Sequence, residues 1–196
     1  MAYGQERKHR VTFNSPVVLG FVFACVAERL LSMATGGLST RAFFMTYRSS
    51  LADPLTYVRL LTHVFGHAGW NHLVSNMSYV LLLGPLLEEK YGSRTLAEIM
   101  GLTALACGVV NYVLFPNLAL CGASGICFAF ILLSSVTSLQ EGEIPLTFLL
   151  VAALYLGQQV VAGVLVPDDV SNLSHIIGGL VGAAAGFALA QGAQRR

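Results

Sequence analysis

The chain has 196 residues, 55% of them hydrophobic and 11% charged, with a formal net charge of +1. A soluble domain carries roughly 25% charged residues and the mean hydropathy here is +0.69, so an ordinary soluble fold is excluded and a polytopic membrane protein is expected. The near-neutral balance removes the electrostatic case for a nucleic-acid partner.

Residues 1–15 are largely polar, and Arg7, Lys8 and Arg10 lie just ahead of the first apolar run. Under the positive-inside rule that is a cytoplasmic segment. The first span is expected over Pro16 to Thr35, with Glu28 and Arg29 in its outer half, at the far interface or paired inside the bundle. It reads as a retained span rather than a cleaved signal, Ala34-Thr35-Gly36 being only a weak cleavage candidate. A connector over about 36–70 mixes Phe43, Phe44, Tyr47, Leu60 and Leu61 with Arg41, Arg48, Asp53 and Arg59. That mixture suits helix and loop lying at the outer interface.

The second span is placed from Trp70 to Leu87, and Glu88, Glu89, Lys90 and Arg94 mark an inner turn. The third covers Leu96 to Phe115 and the fourth, a short one, Ser124 to Leu139. Glu141 and Glu143 form the next inner turn; the fifth span covers Leu146 to Val166, and Asp168 and Asp169 form an outer loop. The sixth runs from Leu173 to Leu189, and Arg195 and Arg196 end the chain inside, in a tail over 191–196. Six spans near the ~20 residues that a hydrocarbon core demands make an all-α bundle over 16–190 with both termini cytoplasmic. The four cysteines, Cys25, Cys107, Cys121 and Cys127, all lie in apolar stretches and read as small buried hydrophobes.

Ionisable and polar residues inside spans are costly and therefore candidate functional groups. His72 and Asn76, four apart, face one way at the outer start of the second span. Ser124 opens the fourth span inside Gly122-Ala123-Ser124-Gly125, and His175 lies in the first turn of the sixth. A serine in that setting is a helix cap or a nucleophile at a helix N-terminus. Gly178, Gly182 and Gly186 repeat every fourth residue below His175. Such a strip allows close helix approach, as a plain packing face or as the means of bringing imidazole to hydroxyl. The second reading makes Ser124 and His175 a dyad, with no aspartate to orient the base. Phe128, one turn after Ser124, either stacks on that imidazole or simply packs the core. His72, Asn76 and the Ser124 N–H would then donate to an oxyanion. His63, His67 and His72 also have spacings that suggest a metal site, but no carboxylate or thiolate joins them. His63 and His67 are expected instead to pin the connector by hydrogen bonds, and Glu88 to tie helix ends or remain solvated.

Taken together, Arg59, His63-x-x-x-His67-x-x-x-x-His72-x-x-x-Asn76, Gly84, Glu88, Gly122-x-Ser124-Gly125 and His175-x-x-Gly178 with Gly182 resemble the rhomboid intramembrane serine proteases over about 59–186. The resemblance implies a six-helix rhomboid bundle, Ser124 as nucleophile, His175 as base, and His72 with Asn76 at the oxyanion. It also implies no metal or other cofactor, an outward-facing wet cavity, a lateral gate at the fifth span and the Asp168 loop, and single-pass transmembrane proteins as substrates. The bacterial inner membrane is the expected location. Two departures stand out: Val58 precedes Arg59 where many relatives have tryptophan, and Phe128 stands where some have tyrosine. A proteolytically inactive relative that binds transmembrane clients is the competing reading. A channel is disfavoured because the polar residues collect in the outer half.

Overall fold

The structure is a computed structural model that describes residues 12–136, 144, 146–165 and 170–194. The proposed inner turn at Glu141 and Glu143, the Asp168–Asp169 loop and the arginines and lysine near both termini lie outside the described residues. Among the described residues the fold is all-helical. Its one β-type pairing is an isolated antiparallel bridge between Thr46 and Leu120.

Helix α1 runs over Pro16–Ala34, with Ser15 in the N-cap position and proline at its start. Proline suits that position because its missing N–H would be unpaired there anyway. The Ser15 side chain makes no capping bond. Instead the Glu88 carboxylate reaches over from another helix and accepts the Val17 and Val18 N–H groups, each at 3.0 Å. The connector folds into α2 (Leu38–Phe43), α3 (Pro54–Thr62) and a 3-10 turn at His63–Phe65. Asp53 caps α3 by accepting the Leu55 N–H at 3.0 Å, an arrangement favoured for aspartate at an N-cap.

Helix α4 covers Trp70–Tyr91 with Pro85 inside it, and α5 covers Ser93–Leu114. Glu88, Glu89 and Lys90 are therefore the last turn of α4 and not a turn outside it. Hydropathy marks where apolar residues stop, which here precedes the end of the helix at Gly92. Helix α6 is Ser124–Ser135, α7 is Leu146–Leu165 and α8 is Val170–Gln194. The sixth span thus begins three residues earlier than hydropathy suggests, because its first turn carries the polar Ser171 and Asn172, and His175 falls in its second turn.

By length and composition α1, α5 and the Asn172–Gln191 part of α8 can each cross a membrane, whereas α6 is a shorter apolar helix. Helix α6 is nevertheless the centre of the bundle, with Ile126, Cys127, Ala129, Phe130, Ile131, Leu132 and Leu133 all buried. A helix apolar on every side is expected to be enclosed. The outer helices expose large apolar side chains such as Leu82, Leu86, Leu102, Val113, Leu149 and Leu180. On a soluble protein so much exposed apolar surface would drive association; on a membrane protein it faces lipid.

Candidate active site

The loop entering α6 is shaped by Gly122, whose φ of +125° belongs to the region that favours glycine. Its N–H donates to the His63 carbonyl at 2.9 Å. A Cβ at this position would stand 2.6 Å from His72 Cε1, 2.8 Å from His72 Nε2 and 3.5 Å from Asn76 Nδ2. The bare backbone of the loop thus lies directly against the two α4 side chains that the sequence pairs. Ala123 takes the N-cap position and Ser124 is the first helical residue. Ser124 is therefore not the N-cap, and Ala123, which is, makes no side-chain capping bond. The Ser124 hydroxyl stands at the end of a helix whose first N–H groups have no intrahelical acceptor, the arrangement that stabilises a developing anion.

Helix α8 reaches this point because its glycines admit α6. A Cβ at Gly178 would land on the Gly125 carbonyl, one at Gly182 on the Ala129 carbonyl, and one at Gly186 on the Val136 side chain. The same strip carries His175, one turn above Gly178. The imidazole stacks on Phe128 with ring centroids 4.3 Å apart and planes 11° from parallel. Phe128 is one turn along α6 from Ser124 and so shares its face of the helix.

Asn76 is buried, and its Nδ2 has no hydrogen-bond partner among the described residues. The Cys127 thiol donates to the Asn76 main-chain carbonyl at 3.4 Å and lies 4.0 Å from Oδ1. The amide oxygen is thus turned toward Cys127, while Nδ2 lies on the Gly122 side. A buried donor without a protein acceptor suits a transient oxyanion.

The other predicted residues form the support. The Arg59 side chain is buried; it donates to the Ala42 carbonyl at 2.8 Å, pairs with Asp53 at 3.2 Å, and sits 4.8 Å over the Tyr47 ring. It braces the connector from within. His67 bonds the Phe65 carbonyl through Nδ1 at 3.1 Å, and its ring meets that of His72 edge to face at 5.1 Å. The expectation for His63 needs correction: neither of its ring nitrogens has a partner among the described residues. What ties His63 to the serine loop is its carbonyl; the residue itself is buried and borders a small cavity that Thr103, Ser124 and Ser174 also line. Burial pushes the His63 imidazole down to about 4. His67 is likewise pushed down to about 4 by burial, against the opposing pull of its Phe65 hydrogen bond. Both are neutral at pH 7. Cys121, three residues before the serine, is pushed up to about 11 by burial and by the Glu28 charge, so it is a thiol and no rival nucleophile. Among the described residues no three His, Cys, Asp or Glu side chains converge as metal ligands.

Glu88 is remote from this cluster. Besides the α1 N-terminus it accepts the Ser93 hydroxyl at 2.7 Å, so it joins three helix ends. Sequence reading passed over Asn111, a buried amide in the last turn of α5 that donates to the Thr46 and Leu118 carbonyls, each at 3.4 Å. With the Thr46–Leu120 bridge, whose two hydrogen bonds are both 2.9 Å, it fastens the connector to the loop that leads into Ser124. The signal was present: an amide inside an apolar span is costly unless it is bonded.

The Rhomboid domain family model matches residues 54–192. Among curated proteins, the chain is 30% identical over 138 residues to Rhomboid-related protein 1 of Caenorhabditis elegans, covering 66% of this chain and 39% of that one. It is 25% identical over 140 residues to Rhomboid-like protein 11, chloroplastic, of Arabidopsis thaliana, covering 64% and 50% respectively. The chain therefore spans half the length, or less, of these two curated relatives.

Proposed function

The chain belongs to the rhomboid family, and from that premise we propose that it is an intramembrane serine endopeptidase acting on single-pass transmembrane proteins. The observation that carries this reading is the His175 ring stacked on Phe128, one turn from Ser124. In the proposed reaction His175 takes the Ser124 proton as Oγ attacks the scissile carbonyl carbon. The carbonyl oxygen becomes an oxyanion, stabilised by the Asn76 amide, His72 and the Ser124 N–H. Collapse of this intermediate breaks the C–N bond, and the imidazolium returns its proton to the leaving amine. Water then hydrolyses the acyl-enzyme through the same base. The Phe128 ring takes part of the orienting role that an aspartate has in a triad.

The protein is an integral membrane protein. Within the proposal, both termini are cytoplasmic, the bacterial inner membrane is the location, and the serine opens to the outer face. Residues 16–190 form the protease domain, with 1–15 and 191–196 as cytoplasmic flanks.

Cleavage of a single-pass substrate in liposomes tests the reading. Ser124→Ala and His175→Ala are each expected to lower turnover at least ~10³-fold while keeping the wild-type melting temperature. Wild-type cutting by Ser124→Ala would end the proposal. Substrate capture without cleavage, together with no labelling of the wild type by a serine-directed phosphonate, would transfer the protein to the client-binding reading.

A further inference from the structure

The C-terminal end of α1 and the short helix α2 border an open pocket of about 340 Å³, within the ~300–1,000 Å³ typical of small-ligand sites. Arg29, Ser32, Thr40, Arg41 and His67 supply its polar wall. None of Ser124, Asn76 and His175 lines it, so it is distinct from the cluster around the serine and stands independently of the proteolytic reading.

Its chemistry is unbalanced. Arg29 Nε is buried without a hydrogen-bond partner among the described residues, and the guanidinium carbon lies 5.9 Å from the Trp70 ring centroid. Arg41 is exposed. Neither arginine takes part in either of the two ion pairs found among the described residues. His67 is 1% exposed. Its Nδ1 is engaged with the Phe65 carbonyl, and its buried Nε2 has no partner among the described residues. The Ser32 and Thr40 hydroxyls lie 2.7 Å apart. Glu28, the nearby carboxylate on α1, accepts the Thr40 hydroxyl at 2.6 Å and does not line the pocket. A half-buried guanidinium without an anion is costly. The Thr40 hydroxyl is engaged by Glu28, but half-buried Arg29 and exposed Arg41 beside the Ser32 hydroxyl match the oxygens of a phosphate, which arginine grips with paired N–H donors. The surroundings are lipid-facing, since Leu30, Met33 and Leu38 on α1 and α2 are all well exposed.

We propose that this pocket binds a phosphate group, gripped by Arg29 and Arg41, from either a phospholipid headgroup or a free phosphate species. Native mass spectrometry of the full chain in detergent tests this with phosphatidylglycerol, with the diacylglycerol of the same acyl chains, and with inorganic phosphate as probes. The wild type is expected to retain phosphatidylglycerol at least about tenfold better than diacylglycerol, and Arg29→Gln and Arg41→Gln to reduce that retention at least about fivefold. Arg41 is exposed, so its variant keeps the test decisive if Arg29→Gln folds poorly. Retention that inorganic phosphate does not displace supports the headgroup source. Inorganic phosphate that raises the melting temperature of the wild type and not of Arg41→Gln supports the free species. Equal retention of diacylglycerol, or a folded Arg41→Gln that binds every probe as the wild type does, overturns the proposal.

Discussion

Asn76 shows how a single side chain can be assigned a role by what it lacks. Its Nδ2 is buried beside Gly122 with no acceptor among the described residues, a cost to folding that suits a donor kept for a transient oxyanion. Asn76→Ala is therefore expected to lower kcat ~10²-fold with little change in KM. A rise in KM at constant kcat would mean that the amide only binds substrate. At this scale the sequence was informative, because serine, histidine and asparagine inside apolar spans announce themselves by cost. Cys127 was legible only as a small buried hydrophobe, and Asn111, which carries the same cost signal, was passed over; the sequence named the partner of neither. Their roles depend on partners 51 and 65 positions away, the Asn76 and Thr46 carbonyls respectively, and no local spacing encodes such a contact.

At the scale of helices, the fourfold glycine repeat and the carboxylate that joins helix ends make opposite kinds of claim. The repeat is a statement about distance. Gly182→Ala places a methyl on the Ala129 carbonyl and is expected to destabilise the fold by ~1–3 kcal/mol through overpacking. Gly101→Ala, in α5 with nothing within 4 Å of its added Cβ, is expected to be neutral or to stabilise by ~0.5–1 kcal/mol. Thermal unfolding in one detergent compares the two, and equal melting temperatures would refute the close-approach argument. Glu88 is a statement about hydrogen bonds. Glu88→Gln replaces an acceptor-only carboxylate with an amide facing two N–H donors and a hydroxyl, at an expected cost of ~1–3 kcal/mol, whereas the exposed Glu89→Gln should change stability by less than ~0.5 kcal/mol. A Glu88→Gln melting curve superimposable on that of Glu89→Gln would remove the joining role. The existence of the long helices was legible from apolar runs, but helix ends were not. Glu88 to Lys90 remain helical because a buried partner holds them, and the connector hid α2 and α3 because its apolar and charged residues alternate without a clear period.

For the molecule as a whole, the buried histidines set a pH limit. His63 and His67 titrate at about 4 when folded, against an ordinary value of 6.5. Between those values the unfolded chain binds more protons than the folded one, so stability rises with pH through the window. Their contribution is complete above 6.5 and is lost as the pH falls toward 4. The melting temperature should decline on acidification across that range, and His63→Leu should decline less steeply; parallel curves for the two proteins would show that this ring is not the source. A longer-range consequence follows from the shortness of α6. Its 12 residues rise only ~18 Å, against a hydrocarbon layer of ~30 Å, so a helix at the heart of the protein falls well short of the layer that surrounds it. The peripheral helices α1, α4 and α5 have 19, 22 and 22 residues and match that layer, so the shortfall lies inside the bundle and not against the lipid. At the Ser124 end the missing length is made up by loop. There the Thr46–Leu120 bridge and the Gly122 bond to the His63 carbonyl give buried main-chain groups the partners that a longer helix would have supplied.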